Sequence, residues 1–239
     1  MRKIGSIVLA ALILLSLVAM LPLYVSAAES STHLIVFEWY GSGHITLNAI
    51  PFPDDSESNP DYKLLPFRWY VTANYWINPN NDYGFSKSEV ESVINAAAKT
   101  WDDQTTFDVF AYRGTTESAA GEKDGCNVVS WGKYSQSNAI AVTFIWYTRT
   151  RVGRSIRMEI VETDTLLNIY YSWSLSGEDD KMDVQNIMTH EFGHWCGLDD
   201  LYKDRDYWLT MYGYASVGET HKQTLGYGDI LGLQKVYGK

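Results

Sequence analysis

The chain has 239 residues and a net charge of −10, with 46% hydrophobic and 14% aromatic residues. That apolar content excludes a disordered chain and is enough to fill the core of one main domain. The acidic balance repels phosphate backbones and argues against nucleic acid as a partner.

Residues 1–28 read as a leader. Arg2 and Lys3 precede an apolar run from Ile4 to Val25, and Val25-Ser26-Ala27 offers a small-residue cleavage site. The run is long enough to span a bilayer, so it is a cleaved signal peptide or an uncleaved anchor. Either reading puts the remainder outside the cytoplasm, secreted or on the outer face of a membrane. Residues 29–62 form an N-terminal extension or a short pro-segment with a linker. LIVFEWY at 34–40 reads as a strand, and the Pro-, Ser- and Asp-rich run at 51–62 as a loop. A pro-segment that blocks the site and an extension packed on the domain are both open.

From residue 63 to 239 the pattern is that of one folded domain. FRWYVTANYWINP at 67–79 is β-rich and ends in a turn. Ser86 with Glu89 makes a capping box, and Val90, Val93, Ile94, Ala97 and Trp101 form a helical apolar stripe. Four further strands are expected at 107–114, 127–131, 139–148 and 157–163. The strand at 139–148 is a candidate for the sheet edge, although its long apolar run also suits an interior strand. A helix is expected from Asp183, as N-cap, to Cys196, and a last helix within Tyr227–Tyr237 ends at Gly238. Met182 and Met188 read as core filler.

Chemistry concentrates at residues 190–200, HEFGHWCGLDD. His190 and His194 are four apart, so a helix sets both imidazoles on one face, where they can hold one zinc ion. Glu191 flanks that face and suits a general base. Gly197 allows a positive-φ exit from the helix, after which Asp200 supplies an oxygen ligand. Three protein ligands and one open position are what a catalytic zinc needs. Asp199 and His221 are the rival ligands.

His190 to Asp200 together with Met211 resembles the metzincin clan of zinc endopeptidases. Met211-Tyr212 and the ending DILGLQKVYG resemble the matrixin family within it, as do RWYVTANYWINP, DGCNVVSWG and AIAVTFIWYTRT. The resemblance covers about residues 63–239. It implies an α+β fold: a twisted, mixed five-stranded sheet with about three helices and a zinc cleft below the edge strand. It implies His190, His194 and Asp200 as zinc ligands, Glu191 as base and Met211 as the Met-turn beneath the metal. Asp200 departs from the usual third histidine. The resemblance further implies that the loop after Met211 walls the main specificity pocket, and that an extended protein or peptide substrate pairs with the edge strand.

The implied enzyme is a secreted, monomeric zinc endopeptidase. The alternatives are a non-catalytic zinc-containing binding protein and a metallo-exopeptidase. Structural calcium is also implied, with the turns at Asn78–Tyr83 and Glu122–Asp124 as candidates. The sequence PRCGxPD, which keeps many matrixins latent through a cysteine, is absent, leaving His44, Asp54 and Asp55 as weak substitutes. Two cysteines in an exported chain predict a Cys126–Cys196 disulfide, with two free thiols as the alternative. Cys196 lies about 200° round the helix from His194, away from the metal face.

Overall fold

The structure is a computed structural model that describes residues 31–41, 54–135 and 138–239. The leader expected at 1–28 and His44 lie outside the described residues. In chain order the elements are β1 (Ser31–Gly41), β2 (Ala73–Ile77), α1 (Lys87–Asp102), β3 (Phe110–Thr115), β4 (Asn127–Gly132), β5 (Ala139–Val152) and β6 (Ser155–Asn168). Two-residue strands β7 (Trp173–Ser174) and β8 (Met182–Asp183) follow, then α2 (Val184–Trp195), β9 (Tyr214–Ala215) and α3 (Tyr227–Tyr237).

Among the described residues the main sheet has the order β3-β2-β4-β6-β5-β1-β9. β3, β2, β4 and β6 run parallel, and β5 is antiparallel to β6. These five are the mixed five-stranded sheet expected for the domain. Two strands extend it: β1 pairs antiparallel with β5, and β9 pairs parallel with β1. The strand at 139–148 is therefore interior, because the N-terminal segment covers the edge it was expected to expose. Its apolar run AIAV is fully buried, as a strand flanked on both sides requires.

The helices pack around this sheet as their sequences dictate. α1 starts at a capping box in which Ser86 and Glu89 exchange bonds, and it buries Val90, Ile94, Ala97, Ala98 and Trp101. The Trp101 indole donates to the Thr189 carbonyl at 2.7 Å, which locks α1 onto α2. α2 is capped by Asp183, whose carboxylate accepts from the Asn186 N–H at 2.8 Å. Its Phe192 and Trp195 pack on Tyr75 and Phe110 of the sheet. Met182 and Met188 are buried core residues. No helix among the described residues is long and apolar enough to cross a membrane.

The expected disulfide is not formed. Cys126 and Cys196 are both free thiols. Cys196 caps the buried C-terminal end of α2, with Asp102 and Tyr237 nearby. Cys126 precedes β4 among Asp124, Glu162 and Asp164. An even count reports the redox compartment of a chain, whereas a bridge needs two Cα atoms within about 7 Å.

Candidate metal centre

α2 carries the first two candidate ligands. His190 and His194 share one face of it, with ring centroids 4.9 Å apart. The imidazole Nδ1–H of His190 donates to the Thr210 carbonyl at 2.7 Å, and that of His194 to the Leu198 carbonyl at 3.0 Å. These bonds fix the tautomers and turn both Nε2 atoms inward.

The chain then has to bring Asp200 back. Gly197 takes φ +87°, and a Cβ there would sit 2.8 Å from the Phe67 carbonyl oxygen. The exit is pinned by Leu65 N–H to Gly197 O and by Asp199 N–H to Lys63 O, at 2.8 and 2.9 Å. On its far side, Leu201 N–H bonds Met211 O, and Gly213 N–H bonds Leu201 O. Asp200, held between these pairs, sets Oδ1 3.2 Å from His190 Nε2 and 3.7 Å from His194 Nε2. Tyr202 OH donates to the other oxygen, Oδ2, at 3.0 Å.

One ligand atom from each of His190, His194 and Asp200 lies within 4.8 Å of the others, and all three residues are buried. His190 Nε2 and Asp200 Oδ1 have no hydrogen-bond partner. Buried polar atoms left unsatisfied in this way cost free energy unless something binds them. Two imidazoles and one carboxylate are a donor set that zinc accepts. Burial raises Asp200, but His194, His190 and Tyr202 outweigh it and hold the carboxyl at about 2. Burial pushes His194 down to about 4. At neutral pH the site therefore offers an ionised carboxylate and a neutral His194, the protonation state a metal needs.

The rivals fall away. Asp199 turns outward to Lys63 at 2.6 Å, and His221 meets the Tyr207 carbonyl at 3.1 Å. Asp54 and Asp55 start a turn tied to α3 through Tyr227 N–H to Ser56 O, and neither joins the metal group.

Glu191 is fully buried, and burial pushes its carboxyl up to about 7 against the opposing His190 and Thr143. Its Oε2 accepts from Thr143 Oγ1 at 2.5 Å, while Oε1 has no partner. The groups behind it are consistent with that direction. The Trp195 indole, which can only donate, gives its N–H to Thr165 Oγ1 at 2.9 Å. Thr143 has one proton and gives it to Glu191, so Thr165 is the donor between the two threonine hydroxyls at 2.7 Å.

Met211 is buried against α2 between the two histidines. A Cβ on Gly193, between the two histidines, would fall 2.1 Å from Met211 Sδ, so glycine is what lets the turn approach. Asp229 of α3 secures that turn by accepting from the N–H groups of Thr210, Met211 and Gly226 at 2.8, 3.1 and 2.9 Å.

Residues 131–238 match the family model described as Matrixin. That stretch is matrixin-like, which supports a metalloprotease. The match takes in every ligand of the metal group, Glu191 and Met211. No curated protein matches the chain. Within this matrixin-like domain, the sequence reading missed Thr143, Thr165, Tyr202 and Asp229. Their roles arise from pairings across the fold and leave no local motif. The β1 strand is the other surprise: its Phe37 and Trp39 rings stack on His194 and His190.

Proposed function

We propose that the chain is a secreted zinc endopeptidase that cuts extended protein or peptide substrates outside the cytoplasm. The observation that carries this is one buried group in which His190 Nε2, Asp200 Oδ1 and Glu191 Oε1 all lack partners. His190, His194 and Asp200 hold the zinc. When bound, zinc supplies Lewis acidity that polarises a carbonyl and acidifies water. Glu191 Oε1 accepts the proton of the attacking water and hands it to the leaving amine. The Thr143 hydroxyl keeps Oε2 engaged, so that Oε1 is the oxygen presented. Exclusion of bulk water by the surrounding core strengthens each of these interactions. Structural calcium remains an expectation of the family likeness. Export rests on Arg2, Lys3 and the apolar run to Val25.

The test is cleavage of unfolded casein and of peptides blocked at both ends. The zinc-loaded chain is assayed before and after it is nicked between Gly41 and Asp54, beside Glu191→Ala treated alike. Chelator-sensitive cleavage of blocked peptides, lost in the variant while one zinc is retained, is the expected result. Cleavage only of peptides with a free terminus would make the chain an exopeptidase. Stoichiometric zinc with no cleavage by either form would favour a binding protein.

A further inference from the structure

The slot filled by β1 has two backbone walls. β5 lies along one side, antiparallel, in register from Ser31↔Arg149 to Trp39↔Ala141. β9 lies along the other, parallel, through Tyr40↔Tyr214 and Gly41↔Ala215. Side chains alternate across the strand, so that Ile35, Phe37 and Trp39 turn to the core while Leu34 and Val36 face solvent.

The inward rings land on the metal group. Phe37 stacks on His194 with centroids 4.2 Å apart, and Trp39 on His190 at 3.8 Å with the planes 9° apart. The backbone on either side of Glu38 therefore crosses the two imidazoles. Phe37 is also the register partner of Thr143, whose hydroxyl orients Glu191. Beside the group, a cavity of about 450 Å³ is lined by Asp200, Leu201 and Tyr202. A peptide to be cut has to lie where β1 lies, because an extended backbone there meets both the pairing edge of β5 and the catalytic carboxylate.

We propose that β1 is a substrate-like strand bound in cis, which keeps the groove closed, and that Trp39 occupies the pocket that selects a substrate side chain. This rests on the peptidase reading above. Trp39 is 2% exposed. His190 forms one face of its pocket, and the Lys222 ammonium stands 5.1 Å from the ring. Lys222 is itself buried, paired with Glu219 at 2.6 Å and bonded to the Tyr214 carbonyl at 2.7 Å. A flat apolar cleft with a fixed cation at the ring suits an aromatic group better than an aliphatic or cationic one. The substrate class is thus an extended peptide with Trp, Tyr or Phe at the position that meets His190. Strand and substrate compete for one slot, so the intact chain is latent.

The experiment uses the full, zinc-loaded chain, with a recognition sequence for a site-specific protease placed between Gly41 and Asp54. This chain is compared uncut, cut, and carrying Trp39→Ala. Two readouts are taken: hydrogen exchange at the amides of residues 139–149, and hydrolysis of quenched peptides that differ only in one aromatic, aliphatic or acidic residue. Cutting and Trp39→Ala are expected to speed exchange at least 10-fold and to raise hydrolysis at least 10-fold. A synthetic peptide of residues 31–41 should reverse both effects, and aromatic peptides should be cut at least 10-fold faster than the others. If the uncut chain hydrolyses peptides as fast as the cut one, or if the synthetic peptide fails to restore protection, the proposal is overturned. Equal rates on all three peptides would overturn the assignment of the pocket. Restored protection with no hydrolysis by any form would leave the occupied groove standing and remove the peptidase reading instead.

Discussion

The chemistry of the site depends on single atoms that neighbouring side chains aim. Thr143 holds Glu191 through one hydroxyl, with Thr165 and the donor-only indole of Trp195 lined up behind it. Replacing Thr143→Val keeps the shape of the side chain and removes that donor. Zinc content should be unchanged while kcat falls on the order of 10-fold or more, because the carboxylate loses its fixed rotamer. A parallel loss of zinc would show instead that Thr143 supports the fold around the ligands. Tyr202 has the corresponding role for the metal, since its hydroxyl occupies Asp200 Oδ2 and leaves Oδ1 to face the imidazoles. Such a partner of a ligand typically contributes about 10- to 100-fold in metal affinity. Tyr202→Phe should weaken zinc binding within that range in a competition titration with a chromogenic chelator, with the folded structure intact by circular dichroism.

At the scale of elements, one carboxylate on α3 positions the turn under the metal. Asp229 is buried and accepts three backbone N–H bonds from residues 210, 211 and 226. In Asp229→Ala those donors have no acceptor, and each buried orphan costs about 1–3 kcal/mol. We expect urea unfolding of the metal-free protein to show a loss of at least ~2 kcal/mol, together with looser zinc binding. A variant as stable as the parent would mean that the turn holds itself. The sequence announced much of this region. HEFGHWCGLDD is legible because helical periodicity turns a spacing of four into one face, and Gly197 signals the exit that returns Asp200. The capping box at Ser86 and the strands of the sheet are legible for the same local reasons. Asp229, Thr143 and Thr165 are not, because an Asp in a helix or a Thr in a strand has no signature until the fold chooses its partner. The same holds for β1. LIVFEWY reads as a strand, but nothing in its own residues tells which edge it will join, and β5 reads equally well as edge or interior. The cysteines erred in the opposite direction, since their even number speaks of a compartment and says nothing of distance.

Over the whole molecule, the acidic balance reaches the interior of the sheet. Glu162 and Asp164 of β6 are both buried, and they tie down the loop between β3 and β4. Glu162 accepts from the N–H groups of Asp124 and Gly125, and Asp164 from those of Gly121 and Val128. Burial pushes the Asp164 carboxyl from 3.8 up to about 7, with Glu162 and Asp124 adding to the rise and its two backbone bonds opposing it. A folded-state pKa above the unfolded one means that the fold holds this proton more tightly. The stabilisation is therefore complete below about pH 3.8 and is lost as the pH rises through about 7. At roughly 1.4 kcal/mol per unit, the loss across that window is a few kcal/mol. Other groups titrate there too, His194 and Glu191 among them, so the contribution has to be isolated by difference. Asp164→Asn does not titrate, and its amide N–H facing a backbone N–H adds a cost that does not change with pH. Unfolding free energies of both proteins, measured in chelator from pH 4 to 8, should show the advantage of the parent shrinking by a few kcal/mol as the pH rises. An advantage that grows instead would mean that the backbone N–H groups outweigh burial and hold the carboxylate ionised. The β3–β4 loop would then be anchored by charge, and acid rather than base would release it.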